Sequence, residues 1–238
     1  MFDLEALMTG PVRPLGPDCV PSGMDKQPTG QPVRLTRAGL EGDGHGDLRH
    51  HGGPDKAVHH YPLDHYAAWA TEIGQHPRLE RPGAFGENLA IRGLVEADVA
   101  IGDRFRLGTA LIEVSQGRQP CFRLNLRMGL PDMARRMQQS GRTGWYYRVV
   151  EEGIVAAGDR LELLDRPTPC WTIVRLWRIF YVDTLDRESL SAMVALPHLP
   201  ERWRAVALQR LRTGTVEDWG MRLEGTGPAR QDIQRSDL

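Results

Sequence analysis

The sequence has few cysteines, and their placement excludes several classes of small protein. Cys19, Cys121 and Cys170 are the three cysteines in 238 residues, and no two of them form a CxxC pair. This spacing indicates neither a disulfide framework, nor a zinc knuckle, nor a bound iron–sulfur cluster. Because three is an odd number, at least one thiol stays unpaired within the chain.

Long apolar runs and an excess of charge are also absent. No stretch approaches the roughly 18 apolar residues that a bilayer requires, and residues 1–14 lack a basic segment followed by an apolar run. We therefore expect a cytoplasmic protein with no membrane partner. The formal net charge of −1 gives no field to attract nucleic acid. No P-loop or GxSxG motif occurs, which removes nucleotide-fold and serine-hydrolase interpretations.

From about residue 4 to residue 165 the sequence has a pattern that is typical of β-rich proteins. Glycine or proline interrupts the chain every few residues, and the apolar runs between them are short. This pattern is typical of a barrel or a sandwich. It predicts strands at 4–9, 33–37, 88–91, 104–107, 110–115 and 161–164. Helices are predicted at 63–72, with Tyr66 and Trp69 on one face, and at 132–139.

After Pro167 the periodicity becomes helical. Apolar residues at helical spacing predict three helices, marked by Ile173, Leu176, Trp177, Phe180 and Tyr181, then Leu190, Met193 and Val194, then Trp203, Val206, Ala207 and Leu211. We divide the chain into a barrel domain at 1–166, a three-helix domain at 167–224 and a disordered tail at 225–238. Cys170 is interpreted as a packing residue. The arginines of the last helix are interpreted as a solvated face, with docking to an acidic partner as the alternative: Arg202, Arg204, Arg210 and Arg212.

Seven of the eight histidines lie between His45 and His76, in and beside a glycine-rich stretch. Bound zinc is one interpretation, but the spacing matches no regular zinc motif. We prefer histidines that cap turns and face water for His45, His50, His59, His60 and His76. His51 precedes Gly52 and Gly53, whose backbone N–H groups could cradle a phosphate or carboxylate, with Lys56 supplying charge. The same GGPDK segment is also an ordinary turn sequence.

Two further segments carry polar groups near predicted strands. In GAFGENL at 83–89, Gly86 permits a bend, and Glu87 and Asn88 offer polar side chains, although a simple turn explains the pattern as well. In SQGRQPCFRLN at 115–125, arginines flank Cys121. Nearby cations favour the thiolate, which is the form that attacks electrophiles or binds soft metals. The alternative is a small buried hydrophobic residue, the commoner role of an unpaired cysteine.

These segments together resemble a known family, the MOSC domain, which is named for the C-terminal domain of molybdenum cofactor sulfurases. The similarity covers residues 4–221 and extends to the YiiM-like subgroup, which carries an extra three-helix domain. The blocks that resemble the family in order are GLEGD at 39–43, HGGPDKAVHHYP at 51–62, AFGENL at 84–89, IGDRFRLG at 101–108, SQGRQPCFRLN at 115–125 and TGWYYRV at 143–149.

The resemblance implies a mostly β protein, a MOSC-type β-barrel with a few peripheral helices, that binds the molybdenum–molybdopterin cofactor. Cys121 matches the family's molybdenum ligand. The cofactor phosphate would need positive charge and N–H donors, for which the candidates are Lys26, Lys56, Arg118, Gly52 and Gly53. His51, Glu87 and Asn88 are candidates for the polar edge of the pterin.

Resemblance to family members also implies an activity, the reduction of N-hydroxylated compounds such as hydroxylaminopurines. Because the chain has no cluster motif and no flavin fingerprint, a separate reductase would supply the electrons, and the three-helix domain could be its docking surface. One alternative is a carrier that holds the cofactor, or a persulfide on Cys121, without turnover. A second is a structural barrel with an inert thiol. The physiological substrate, the oxo or sulfido form of the metal, the proton donor and the oligomeric state are left open.

The sequence departs from the family pattern at two positions. Gly117 stands where the family has proline in SQPR, and this predicts a looser loop before the cysteine. His45 stands where the family has glutamine, which puts any specific contact at that position in question.

Overall fold

A computed structural model describes residues 1–46 and 52–225. Within these ranges the strands are β1 (Phe2–Thr9), β2 (Arg13–Leu15), β3 (Val20–Ser22), β4 (Gln27–Pro28), β5 (Val33–Thr36), β6 (Gly39–Leu40), β7 (Val58–Pro62), β8 (Leu89–Ile91), β9 (Arg104–Leu107), β10 (Ala110–Gly117), β11 (Trp145–Glu151), β12 (Gly153–Val155) and β13 (Arg160–Asp165). The helices are α1 (Asp64–Ile73), α2 (Phe122–Met128), α3 (Met133–Ser140), α4 (Ile173–Tyr181), α5 (Arg187–Val194), α6 (Glu201–Thr213) and α7 (Gly220–Glu224), with short 3₁₀ turns at Pro54–Lys56 and Pro77–Glu80.

Seven of the strands close into a barrel. Hydrogen-bonded neighbours run in the order β1, β8, β7, β11, β10, β9, β13 and back to β1. Neighbours are antiparallel except β7 and β8, which are parallel. Because side chains alternate between the two faces of a strand, Trp145 and Tyr147 of β11 enter the barrel core while Tyr146 lies on the outer face. The predicted β-barrel with peripheral helices is confirmed.

The C-terminal helices pack onto the barrel. Ile173, Leu176 and Phe180 of α4 and Trp203 of α6 share one apolar core with the barrel interior. A second core lies outside the barrel, where α1, α2 and α3 cover the outer face of β7. None of the helices in the described ranges is long and apolar enough to cross a bilayer.

Two expectations for the helical region are wrong. Arg210 is only 1% exposed, because its guanidinium pairs with Glu217 and donates to backbone carbonyls at the end of α4. It therefore belongs to the core and not to a solvated face. Cys170 is exposed and is not a packing residue. The predicted tail beyond residue 225 lies outside the described residues.

Gly117, where a looser loop was expected, lies in a strand. Gly117 is the last residue of β10 and pairs with Trp145 of β11. A Cβ atom at Gly117 would lie 3.5 Å from side-chain atoms of Ile173 and Trp203. The glycine thus lies in a paired strand end that packs against the helical region.

The paired histidines of β7 are buried, so the expectation that they face water is wrong. His60 enters the barrel core, stacks on Trp145 with ring centroids 4.1 Å apart, and places Nδ1 3.1 Å from the Tyr147 hydroxyl. Burial lowers the pKa of His60 to about 3. His76, by contrast, caps the turn at Pro77–Glu80 as predicted, accepting a hydrogen bond from the Arg78 N–H.

Replacing His60 with phenylalanine should weaken the dependence of stability on pH in acid. A histidine in the unfolded chain takes up a proton near pH 6.5, whereas folded His60 stays neutral until about pH 3. Between these limits the unfolded chain binds more protons, so each unit of falling pH costs about 1.4 kcal/mol of stability. Urea denaturation between about pH 6 and pH 4 should show a slope smaller by about that amount in the variant. Equal slopes in the two proteins would contradict a neutral buried His60.

Candidate functional site

A cleft opens on the outer face of the barrel, where β7 and β11 run side by side. His59 pairs with Tyr146 across these strands, and their rings lie 5.0 Å apart, centroid to centroid. Loops at 22–26, 44–46 and 85–88 form the opposite wall. This inner cleft has a volume of about 610 Å³ including its mouth. Its described lining residues are Ser22, Gly23, Met24, Lys26, Gly44, His45, Gly46, Lys56, His59, Phe85, Gly86, Asn88, Arg118, Gln119, Cys121, Arg123 and Tyr146.

Cys121 lies at the mouth of this cleft because of the way β10 ends. The strand stops at Gly117, and Cys121 follows in extended backbone directly before α2. The residue is 9% exposed, and it lines the cleft beside Tyr146 and Arg118. Burial raises the pKa of Tyr146, Arg118 opposes that rise, and Cys121 adds to it. The Tyr146 side chain is therefore protonated and within electrostatic reach of the sulfur.

Arg118 brings a positive charge to the cleft, and one of its guanidinium nitrogens has no hydrogen-bond acceptor in the described part of the chain. The side chain is 6% exposed, and its Nη1 atom is buried without a hydrogen-bond partner there. A buried, unsatisfied guanidinium nitrogen is costly, and such atoms in native proteins mark places where a ligand or water binds. Arg118 is thus a candidate donor for an anionic ligand, since its Nη1 has no acceptor among the described residues.

Lys26, unlike Arg118, is a cation whose charge is paired with a carboxylate of the protein. It is 6% exposed and forms an ion pair with Asp43. Burial lowers the pKa of Lys26, and the Asp43 carboxylate opposes that shift. The Asp43 carboxylate also accepts the Gly10 N–H at 3.0 Å and the Asn88 side-chain amide at 2.9 Å. Lys26 therefore lines the cleft with its charge already balanced.

The side chains of Glu87 and Asn88, which were predicted to contact the cofactor, form hydrogen bonds mainly with other groups of the protein. Asn88 lines the cleft, but its amide oxygen accepts from the His59 N–H and its amide nitrogen donates to the Met8 carbonyl and to Asp43. Glu87 is fully buried and does not line the cleft as described. Its carboxylate accepts from the N–H groups of Gly83 and Phe85 and from the Tyr66 hydroxyl. The structure thus directs Glu87 away from any ligand in the cleft.

The glycine-rich segment at 42–56 contributes the side chains of His45 and Lys56 to the described lining of the cleft. Lys56 lies at the mouth, with Nζ 5.8 Å from the centroid of the Tyr146 ring. Gly52 and Gly53 are not among the described residues that line the cleft, and Gly53 is exposed at the start of a 3₁₀ turn. His51 lies outside the described residues. The predicted backbone cradle at His51, Gly52 and Gly53 therefore stays a prediction.

His59 and Tyr146 are site residues that the sequence analysis did not single out as such. His59 is 5% exposed and its Nδ1 lies 3.2 Å from the Gly86 carbonyl, which can only accept a hydrogen bond. Burial, and secondly the charge of Arg118, keep the pKa of His59 well below its usual range. The ring is therefore neutral, and Nε2 carries a lone pair with no partner in the described chain. Successive side chains of a strand point to opposite faces, so the segment TGWYYRV at 143–149 could have predicted that Tyr146 lies on the opposite face from Trp145 and Tyr147.

An outer chamber adjoins the cleft. Its volume is about 1050 Å³ including its mouth, and its described lining residues are Lys56, Gln119, Cys121, Phe122, Arg123, Tyr146, Arg202, Asp218, Met221 and Arg222. Cys121 and Tyr146 line both spaces. The thiol thus lies where the cleft and the chamber meet.

A closed seven-strand barrel with a cysteine-bearing outer cleft, followed by packed helices, defines a recognisable class of protein. The family model of the MOSC domain matches residues 47–162, and the model of the YiiM-like 3-alpha helix domain matches residues 171–214. The chain belongs to the MOSC family, in its YiiM-like branch.

Named relatives agree with this assignment. Protein YiiM of Escherichia coli is 38% identical over 88% of this chain and 93% of its own length, and its crystal structure superposes with a TM-score of 0.80, covering 94% of this chain and 98% of that one. The uncharacterized protein YflK of Bacillus subtilis is 42% identical, over 80% of this chain and 85% of its own. A protein named reductase from Gibberella moniliformis is 36% identical over 82% of this chain, which spans 34% of that longer protein.

Proposed function

We propose that this protein binds the molybdenum–molybdopterin cofactor in the inner cleft, with Cys121 as metal ligand, and reduces N-hydroxylated compounds with electrons from a separate reductase. The observation that carries the proposal is the position of the Cys121 thiol beside Arg118, whose Nη1 is buried and unpartnered in the described chain. A thiol that can bind a soft metal and a guanidinium with an unpartnered nitrogen in the described chain therefore line the same cleft.

The residues of the inner cleft fit the chemistry of this cofactor. A thiolate suits a metal that dithiolene sulfurs already coordinate. The Arg118 guanidinium suits the cofactor phosphate, because charge-assisted hydrogen bonds to phosphate are among the strongest in proteins. The lone pair on His59 Nε2 can accept an N–H from the pterin ring. When bound, the cofactor would supply two-electron redox chemistry at a metal site.

The reaction balances as R–NHOH plus two electrons and two protons giving R–NH2 and water. The N–O bond breaks, nitrogen is reduced, and the oxygen leaves as water. Tyr146 keeps its proton beside Cys121, since burial raises its pKa, and its hydroxyl can donate a hydrogen bond to the departing oxygen. The electrons come from a second protein. This chain spans 34% of a longer fungal protein named reductase, and that is consistent with an electron-donating partner.

The decisive experiment measures metal and turnover in the same preparation. The full-length protein from molybdate-fed cells is analysed for molybdenum by mass spectrometry and assayed for hydroxylaminopurine reduction with a chemical reductant. Molybdenum with turnover supports the enzyme. Molybdenum without turnover supports the carrier function instead, and a preparation without molybdenum that still folds overturns both.

Replacing Arg118 with leucine should reduce cofactor retention without destabilising the apoprotein. The lost charge-assisted hydrogen bonds to phosphate are worth about 1.5 to 3 kcal/mol, or roughly ten- to hundredfold in affinity. In the apoprotein the change removes a guanidinium whose Nη1 is buried without a hydrogen-bond partner in the described residues, so the melting temperature should change little. Arg106→Leu, which removes an arginine on β9 outside the cleft, is the matched control. Unchanged molybdenum content in Arg118→Leu would mean that Arg118 does not hold the cofactor.

A further inference from the structure

A second concave region, away from Cys121, is lined by arginines. It consists of two adjoining hollows of about 820 and about 1010 Å³ including their mouths, and both are lined by Asp25, Arg78 and Arg127. Arg81 lines the first hollow and Arg13 lines the second. None of these four arginines lines the inner cleft or the outer chamber as described. We call this region the arginine groove.

The groove holds more positive charge than the described part of the protein neutralises. Asp25 is the single carboxylate among its described lining residues. An oxygen of that carboxylate lies 3.2 Å from Arg127 Nη1 and 3.9 Å from Arg78 Nη1. Arg13 and Arg81 are exposed, and neither forms an ion pair or a side-chain hydrogen bond with a described residue. Four guanidinium groups therefore face one carboxylate.

Two of these charges are close enough to repel each other. The Arg127 side chain is only 4% exposed, and burial, and secondly the charge of Arg78, lower its pKa. The guanidinium still keeps its proton at neutral pH, because the ordinary pKa of arginine is so high. Like charges held together away from water raise the free energy of the protein, and an anion bound between them offsets that cost.

Hydrogen bonds made by Arg127 join the segments that carry two of the arginines. Its Nη2 donates to the Gly83 carbonyl at 2.6 Å and its Nε donates to the Ala84 carbonyl at 2.8 Å. These carbonyls follow Arg81 by two and three residues in the chain. The end of α2 is thus fastened to the segment that carries Arg81.

His76 fastens the third segment to the same helix end. Its Nδ1 accepts the Arg78 N–H at 3.2 Å, and its Nε2 lies 3.0 Å from the Met128 carbonyl, which can only accept a hydrogen bond. Met128 directly follows Arg127 in α2. Pro77, at the start of the turn, restricts the backbone further. The fold therefore holds these three arginines together before any ligand binds.

We infer that the arginine groove is an anion site that binds a diphosphate group, free or esterified in a nucleotide, between Arg78, Arg81 and Arg127. Planar guanidinium groups bind phosphate oxygens through two hydrogen bonds at once, which lysine cannot do. Several guanidinium groups spread over two adjoining hollows suit an anion with more than one phosphate. The described lining contains no phenylalanine, tyrosine or tryptophan on which a base could stack, so recognition is by phosphate alone.

The test is calorimetric titration of the full-length protein with inorganic pyrophosphate at about 0.1 M ionic strength, where attraction between distant surface charges is largely screened. One saturable site with a Kd below about 1 mM is expected. Arg78→Gln and Arg81→Gln should each weaken binding roughly tenfold, through the loss of charge-assisted hydrogen bonds. Arg92→Gln removes the same charge from an exposed arginine outside the groove and should bind like the unaltered protein.

A carboxylate variant should change the affinity in the opposite direction. Asp25→Asn removes the negative charge that competes with the ligand, and it keeps an oxygen that can accept from Arg127. Pyrophosphate should therefore bind several-fold more tightly to Asp25→Asn. A general loss of structure would weaken binding, so a gain in affinity reports specifically on the charge of the groove.

Repeating the titrations in Arg118→Leu separates this inference from the proposed function, because Arg118 lines the inner cleft and not the groove. Retained pyrophosphate binding in Arg118→Leu supports the groove, whether or not the protein carries molybdenum. ADP that binds as tightly as pyrophosphate indicates a nucleotide ligand, and pyrophosphate binding alone indicates the free anion. The inference is wrong if pyrophosphate does not saturate a site, if Arg78→Gln and Arg92→Gln bind equally, if binding is lost in Arg118→Leu, or if AMP binds as tightly as ADP.

Discussion

The proposed ligand role of Cys121 predicts that Cys121→Ser binds no molybdenum and shows no reductase activity while keeping its fold. Serine has nearly the same shape as cysteine, and the side chain at position 121 is only 9% exposed and lies at the mouth of a cleft, so little packing changes. The ligand chemistry changes completely. A serine hydroxyl stays protonated at neutral pH and offers a hard oxygen, whereas a cysteine thiolate is a soft, anionic donor.

The measurement is molybdenum per protein chain and turnover per chain, with a thermal melt of each preparation. Cys170→Ser and Cys19→Ser are the matched controls, since both residues are exposed and neither lines the described cleft. Both controls should keep metal and activity. A Cys121→Ser protein that retains full molybdenum would show that the ligand is a different residue. Metal loss in the two controls as well would point to general damage and against a specific ligand.

The position of Cys121 could be predicted because the signal is local. The end of an apolar strand and the flanking arginines lie within a few residues of it, in the family block at 115–125. The strands around it were also predictable where β-branched and polar residues alternate. Strand β7 was not predicted, because VHHYP carries two histidines and is buried on both faces, which hides the alternation.

The role of polar residues was harder to predict, because it depends on partners distant in the sequence. Glu87 and Asn88 looked like ligand contacts, but their side chains are occupied within the protein. His59 looked like a surface histidine until strand pairing placed it beside Tyr146 and near Arg118. Nothing within the local sequence states which hydrogen-bonding group remains unpaired after folding. That information exists only in the tertiary structure.

Arg210 and Glu217 form an ion pair that the helical pattern conceals, directly before the segment that lines the outer chamber. Arg210 lies on α6 among several arginines, and its neighbours in sequence suggested a solvated face. In the fold it donates to both carboxylate oxygens of Glu217, at 2.7 and 2.9 Å, and to the Phe180 carbonyl at 3.0 Å. Glu217 also accepts from the Trp219 indole N–H at 3.0 Å, directly before α7. The pair thus joins α4, α6 and the segment that carries Met221.

Arg210→Met should therefore destabilise the protein by about 3 kcal/mol, because removing one partner of a buried pair leaves a charge and several carbonyls unpaired. Arg212→Met, an exposed arginine two residues along the same helix, should change stability by no more than about 0.5 kcal/mol. Urea denaturation measures both variants. Adding Glu217→Gln to Arg210→Met should recover part of the loss, since no unpaired carboxylate then remains. Equal stability of Arg210→Met and Arg212→Met would contradict the structural role of the pair.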